Sequence, residues 1–235
     1  LAEAWVLSCH PDGPSYLPDG TMLADYLAAH PEAAGTDCKK FEMFPVLTKF
    51  IDAKNSISIQ VHPSNEYALE HEHQYGKTEM WYVLDCEPGA FLYYGFDHEI
   101  SREELEERIR NNTLTEVLNA VPVKKGTLHA ICKGVVVAEV QQNSNVTYRV
   151  YDYGRVGADG KPRALHVKQA LEVMRRTPPE QHDFSPHLAK CDYFTVDVVA
   201  GGYTGTADET SFVSLFITEG EGRLTCGGET VQAKK

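Results

Sequence analysis

The sequence predicts a mainly β protein, built as a sandwich or barrel with one helical insertion, and three observations support this. Short runs of β-branched and aromatic residues recur along the chain with turn residues between them. Several of these runs alternate apolar and polar positions, which is typical of strands with one buried face. The chain has 235 residues, of which 42% are hydrophobic, and this is enough to bury one large β core.

The predicted elements follow one another at short spacing. Ser101 can begin the main helix of the insertion, with Glu104 completing a capping box. Residues 63–75 are polar and acidic and are predicted to form a loop. The remaining predictions are strands at 1–8, 44–51, 56–62, 76–84, 90–94, 127–131, 135–142, 147–153, 194–199, 212–217 and 220–226, and helices at 20–30 and 165–175.

Charge and composition exclude several classes of partner. The net charge is −12, which argues against nucleic acid and anionic membranes but allows a phosphorylated small molecule bound by a local basic pocket. No apolar run is long enough to cross a membrane, and the start lacks signal-peptide features, so a cytoplasmic monomer or weak homodimer is expected. Six scattered cysteines predict free thiols. Both ends interrupt strand-like patterns, so we expect a longer native chain.

Four polar residues fall at inward-facing positions of three predicted strands. Gln60 and His62 lie on one face of the strand 56–62, one pleat apart. Glu79 shares a face with Trp81, and His129 follows the turn at Gly126. An amide oxygen, a carboxylate and two imidazoles suit a first-row divalent ion, most plausibly zinc, at an open site.

Two simpler interpretations compete with this one. His71 and His73 form a His-x-His pair, but their surroundings are polar without alternation, so we expect a solvated surface rather than metal ligands. Lys77 and Glu79 lie on one face by parity, and they could form an exposed ion pair on an edge strand, which would contribute little.

Several stretches together resemble type I mannose-6-phosphate isomerases, in particular the short bacterial form. The resemblance covers nearly the whole chain. It rests mainly on 58–63 (SIQVHP), 76–82 (GKTEMWY), 126–130 (GTLHA) and 148–155 (YRVYDYGR), with support from 3–8 and 49–53.

The resemblance implies a cupin jelly-roll barrel with one zinc ion held by Gln60, His62, Glu79 and His129. It also implies three further active-site residues, namely Arg149, Glu139 and Lys77. The expected organisation is a metal-binding barrel at 1–160 with an insertion at about 101–119, a helical connector at 161–182, and an incomplete second cupin-like domain at 183–235.

The implied reaction is the interconversion of mannose 6-phosphate and fructose 6-phosphate through an enediol. Glu139, His62 or a water molecule at the metal could be the base, and the sequence does not choose among them. Lys77 could bind a sugar oxygen or the phosphate. Alternatives are an isomerase of another hexose phosphate, a dioxygenase, and a non-catalytic carbohydrate-binding or regulatory cupin.

Overall fold

A computed structural model describes residues 2–129, 135–157 and 159–235, with the side chains of Leu128 and His129 excepted. The strands are β1 Ala2–Leu7, β2 Val46–Ala53, β3 Ile59–Val61, β4 Glu79–Cys86, β5 Phe91–Phe96, β6 Leu118–Pro122, β7 Leu128–His129, β8 Val135–Gln142, β9 Tyr148–Tyr151, β10 Ala189–Lys190, β11 Thr195–Val196, β12 Glu221–Cys226 and β13 Glu229–Lys234. The α-helices are α1 Leu23–Ala29, α2 Asn65–His71, α3 Arg102–Arg110 and α4 Val167–Val173, with 3-10 turns at Pro31–Ala34, Thr36–Lys40 and Leu114–Glu116.

The mainly β prediction is confirmed, and the centre of the fold is a five-stranded antiparallel sheet in the order β1-β2-β8-β4-β7. Two further antiparallel pairs are β3 with β9 and β5 with β6, and we call the part of the chain from β1 to β9 the barrel. An apolar cluster that includes Trp81, Val83, Leu92 and Val137 joins the large sheet to the β5–β6 pair. Burial of this cluster holds the sheet against the pair.

A second apolar cluster lies between the strands and the helices. Ile59 and Val150 of the β3–β9 pair pack with Leu105 of α3 and Leu171 of α4. Ser101 caps α3 by accepting a hydrogen bond from the Glu104 backbone N–H at 3.0 Å, as the capping pattern predicts. These contacts fix the start of β3, from which the candidate site residues project.

The insertion is shorter than the predicted 101–119. The helical part ends with the 3-10 turn at Leu114–Glu116, and Leu118 and Asn119 already belong to β6. Leu118 is buried and pairs with Phe96 of β5, so its apolar character reflects a strand contact.

The C-terminal region differs from its prediction. Residues 212–217 have strand-like composition, but they form no strand. Phe212 and Phe216 instead pack on Phe44 and Phe50 at the outer face of β2, with ring centroids 5.0 and 5.7 Å apart. We call residues 209–216 the aromatic strap.

Among the residues that the structure describes, no helix has the length and apolar character needed to cross a membrane. The described cysteines are free thiols, as predicted.

Candidate active site

One cross-strand row passes through all five strands of the large sheet. Trp5 of β1 pairs with Lys49 of β2, Lys49 with Glu139 of β8, Glu139 with Trp81 of β4, and Trp81 with His129 of β7. Directly opposed residues in an antiparallel sheet are neighbours on one face. The row therefore brings together chain positions far apart in sequence, and it includes two of the predicted site residues.

Two residues of this row, Lys49 and Glu139, form a buried charged cluster with Lys77 and Glu79, which we call the lysine–carboxylate cluster. Lys77 Nζ lies 2.9 Å from Glu79 Oε2 and 3.7 Å from Glu139 Oε1, and Lys49 Nζ lies 3.6 Å from that same Glu139 atom. Each side chain is at most 8% exposed. The alternative of an exposed Lys77–Glu79 pair is wrong, because both groups are inside the barrel.

His62 lies just beyond the end of β3 and points at this cluster. Its Nδ1 is 3.0 Å from the carbonyl oxygen of Val146, which can only accept a hydrogen bond, so Nδ1 carries the proton. Its Nε2 lies 3.4 Å from Glu79 Oε1. Nε2 and the Glu79 carboxylate therefore face each other, and a cation between them could bind both groups.

Gln60 and Arg149 are opposite each other in the β3–β9 pair. Both contact the hydroxyl of Ser58: Gln60 Nε2 donates to Oγ at 2.8 Å, and Arg149 Nε donates at 3.4 Å. Arg149 Nη1 also donates to the carbonyl of Ala164 at 3.2 Å. Because the amide nitrogen of Gln60 is engaged by Ser58, its amide oxygen remains the group that could bind a metal.

The two carboxylates of the cluster have opposite pKa shifts. Burial raises the pKa of Glu79, but Lys77 and His62 outweigh burial and lower that pKa overall. Burial and the neighbouring Glu79 charge raise the pKa of Glu139, against the opposing effect of Lys77 and Lys49. Two acids with pKa values pushed apart are typical of sites where one stays ionised and the other exchanges a proton.

The residues present fit a divalent cation in part of the predicted set. His62 and Glu79 lie together, and Glu139 Oε1 is buried without a hydrogen bond within the described part of the chain. No three His, Cys, Asp or Glu side chains converge as a metal site among these residues. The predicted set, however, also needs the Gln60 oxygen and His129, whose side chain lies outside what the structure describes.

The other histidine pair is at the surface, as expected, but not in a loop. His71 is the last residue of α2, which Ser64 caps, and its ring stacks on Tyr67 with centroids 4.0 Å apart. His73 follows with a positive φ of 55° and is exposed. The prediction of a loop at 63–75 is therefore wrong over 65–71, which form α2.

Sequence reasoning assigned no role to Lys49. Lys49 shares the inner face of β2 with Leu47, Ile51 and Ala53, so a charged residue interrupts an otherwise apolar face. Such an interruption is the signal that could have found it, because a buried lysine needs a charged partner.

Sequence reasoning also assigned no role to Arg155 and Arg163, which bind Asp152 and, with the predicted Arg149, form a group that we call the arginine cluster. Arg155 Nε donates to Asp152 Oδ1 at 3.1 Å, and Arg163 Nε donates to Oδ2 at 2.6 Å. Arg155 Nη1 also donates to the carbonyl of Ser56, which precedes β3. Burial lowers the pKa of Arg149, and the charge of Arg163 lowers it further. Three guanidinium groups and one carboxylate leave an excess of positive charge beside Gln60.

This chain is similar to several known proteins. Residues 1–88 match the family model for the catalytic domain of type I phosphomannose isomerase. Mannose-6-phosphate isomerase of Streptococcus mutans is 36% identical over 99% of this chain and 80% of its own length. Mannose-6-phosphate isomerase ManA of Bacillus subtilis is also 36% identical, over 99% of this chain and 81% of its own.

Solved structures give the same result. The crystal structure of mannose 6-phosphate isomerase from Bacillus subtilis superposes with a TM-score of 0.82 at 33% identity, covering 99% of this chain and 81% of that one. The apo enzyme from Salmonella typhimurium has a TM-score of 0.71 at 16% identity, which shows the shared fold alone. With the cupin-type fold and relatives similar over nearly its full length, this chain belongs to the type I mannose-6-phosphate isomerase family.

Proposed function

We propose that the protein interconverts mannose 6-phosphate and fructose 6-phosphate with a zinc ion bound by Gln60, His62, Glu79 and His129. The observation that carries this proposal is the contact of His62 Nε2 with Glu79 inside the barrel, next to two lysines and a second carboxylate. Such a group offers ligands and proton-transfer groups in one enclosed space. The names and full-length similarity of the bacterial relatives support the same substrate.

The reaction moves one proton between neighbouring carbons of the open-chain sugar. A base removes the proton from C2 of the aldose and returns a proton to C1. The hydroxyl proton of O2 is transferred to O1 as the carbonyl moves from C1 to C2. Negative charge grows on oxygen in the enediol intermediate, and a divalent cation would stabilise that charge as a Lewis acid. No atom or electron is gained or lost in the exchange.

Glu139 is the base we favour among the three candidates. Burial and the Glu79 charge raise its pKa, which makes its carboxylate a better proton acceptor. Lys77 and Lys49 lie 3.7 and 3.6 Å from Glu139 Oε1, so they would hold the carboxylate in place and could donate to sugar oxygens. Arg149 would stabilise the enediolate and orient the substrate.

Arg155 and Arg163 of the arginine cluster would bind the phosphate group. Arg149 is shared between this cluster and the Gln60 side of the site, and Arg155 and Arg163 carry further positive charge. Guanidinium groups bind phosphate oxygens in pairs of hydrogen bonds. A local positive patch of this kind lets a chain of net charge −12 bind an anionic sugar.

We also propose that residues 1–160 form the catalytic unit and that 183–235 contribute to a second cupin-like β unit. Residues 161–182 would be the helical connector between these two units. Support comes from the burial of both apolar clusters within the first unit and its connector.

The test is elemental analysis of the purified protein, paired with a coupled assay of mannose 6-phosphate conversion before and after chelation. We expect about one zinc per chain, turnover that chelation abolishes, and recovery when zinc is returned. Binding of mannose 6-phosphate without turnover in the zinc-loaded protein would contradict the enzyme and favour a carbohydrate-binding cupin.

A further inference from the structure

Trp5 begins the cross-strand row and contacts its first charged residue. Lys49 Nζ lies over the indole ring, 4.4 Å from its centroid, and the same nitrogen lies 3.6 Å from Glu139 Oε1. The ammonium group is therefore held between an aromatic face and a carboxylate. A buried cation gains more from such a contact than an exposed one, because water competes less for it.

The indole ring is itself held on several sides. Its Nε1–H donates to Glu3 Oε2 at 3.1 Å, and the His10 ring meets it edge-on with centroids 5.6 Å apart. Gly13 approaches the ring so closely that an added Cβ would lie 2.6 Å from Trp5 Cε3. Any side chain at Gly13 would have to displace the ring.

The loop that carries Gly13 is fastened to β1 by hydrogen bonds. Ser15 Oγ accepts from the backbone N–H of Ser8 at 3.0 Å and donates to the carbonyl of Trp5 at 3.3 Å. The backbone N–H of Asp12 donates to His10 Nδ1 at 3.1 Å. The loop is thus fixed relative to the strand, and it sets where the indole ring can lie.

We propose that Trp5 is a positioning residue, which holds Lys49 Nζ at the Glu139 carboxylate so that the base keeps its productive orientation. The inference rests on the proposed isomerase function. A lysine side chain has four rotatable bonds, and without the ring Lys49 Nζ could turn towards Glu3, whose Oε2 is already 4.0 Å away.

A double-mutant cycle tests the coupling. We expect Trp5→Leu to lower kcat about tenfold or more, from the size of a desolvated cation–π contact. Lys49→Met should lower kcat further, and the double variant should be no slower than Lys49→Met alone, because Trp5 acts through Lys49. Trp5→Phe keeps an aromatic face and should recover most of the lost kcat.

The matched control is Phe50→Leu, another aromatic-to-leucine change, on the outer face of β2. It should leave kcat within about twofold of the wild type, since it touches no site residue. Independent kcat losses that multiply in the Trp5→Leu, Lys49→Met double variant would overturn the proposal.

Gly13→Ala gives a second test that leaves both partners in place. Its Cβ should push the ring off Lys49 and lower kcat in the direction of Trp5→Leu, whereas Gly202→Ala, where the Cβ meets open space, should not. Wild-type kcat in Gly13→Ala would contradict the proposal.

Reductive methylation of the full-length variants, read by mass spectrometry, separates this proposal from the isomerase function. Lys49 should react slowly in the wild type and several-fold faster in Trp5→Leu, and Phe50→Leu should behave like the wild type. An unchanged Lys49 rate in Trp5→Leu would overturn the positioning role even in an active enzyme. Conversely, faster methylation in a protein whose wild type shows no turnover would support the contact while rejecting the isomerase function.

Discussion

The barrel and the C-terminal region both contain runs of strand-forming amino acids, but these runs are buried in the barrel and exposed in the C-terminal region. In the barrel, four alternate positions of β8 are buried. Val137 of β8 and Leu92 of β5 are almost fully enclosed. Residues 183–235 are all described, yet Ala189 is the one buried residue among them. Val198, Tyr203 and Val231 are more than half exposed.

This difference shows that strand-like composition produces a core only when a second layer covers it. The barrel strands have the β5–β6 pair and the helices α3 and α4 against them. The hairpin β12–β13 pairs with itself and has little packed on either face. We therefore expect substitutions in the barrel to affect catalysis and stability, and matched substitutions in the C-terminal region to affect them little.

The largest effect is expected for Glu139→Gln. Glutamine keeps the shape of the side chain but cannot accept the substrate proton, so kcat should fall by about 10²–10⁴-fold in the coupled isomerase assay. Glu221→Gln, an exposed change in β12, should leave kcat within about twofold. A kcat of Glu139→Gln close to that of the wild type would show that another group is the base.

Arg149→Ala should also reduce turnover strongly while the zinc content stays intact. Loss of one donor to a developing oxyanion typically lowers kcat by about 10²–10³-fold. Arg223→Ala removes the same side chain from the exposed hairpin and should change neither kcat nor metal content. Loss of zinc in Arg149→Ala would mean that Arg149 supports the metal site and not the reaction.

Leu92→Ala should lower the free energy of unfolding by about 2–5 kcal/mol, because it leaves a cavity in a packed core. Leu92 is only 1% exposed, whereas Leu215 is 46% exposed. Leu215→Ala should therefore cost about 0.5 kcal/mol or less. Urea unfolding followed by circular dichroism measures the free energy of unfolding of both variants. Equal losses would show that the two regions contribute equally to stability.

The smallest effect is expected for Asp152 and concerns how the free energy of unfolding depends on pH in the acid range. Burial raises the pKa of Asp152, but hydrogen bonds from Arg163 and Arg155 outweigh it and lower the pKa overall. A lowered pKa contributes stability above the unfolded value of about 3.9, and this contribution is lost as pH falls through the folded value.

Asp152→Asn should therefore flatten the decline in unfolding free energy between about pH 5 and pH 3, with a loss at neutral pH of about 1–2 kcal/mol, because both arginines are partly exposed. Asp192→Asn, an exposed change, should keep the wild-type decline. Parallel pH profiles for Asp152→Asn and the wild type would show that the arginine cluster does not contribute.

Sequence patterns predicted the barrel strands well where one face of the strand is exposed to solvent or polar. In β4 and β8 the alternation is visible, so the amino-acid order alone places Glu79 and Glu139 on inner faces. Strand periodicity also grouped the four predicted metal ligands, and the resemblance to a family then added Arg149, Glu139 and Lys77 as active-site residues.

The misses have a shared physical cause, which is coverage by distant segments. β2 is largely buried on both faces, partly because the aromatic strap packs on Phe44 and Phe50, so alternation does not separate its two faces. The local sign of Lys49 is a charge on an otherwise apolar face. The strap itself resembles a strand because its phenylalanines are needed for that contact. The coverage of β2 and the conformation of the aromatic strap each depend on residues more than 150 positions away, so the local sequence indicates neither.

The position of β8 in the large sheet has a consequence for how the protein is made. β8 lies between β2 and β4, so before it leaves the ribosome the large sheet can exist only as the separate pairs β1–β2 and β4–β7. Lys49 and Glu79 then belong to unjoined hairpins, and Glu139 arrives last. We expect a nascent chain to acquire high-affinity zinc binding only after residue 142 has emerged, which makes metal uptake a late reporter of barrel closure.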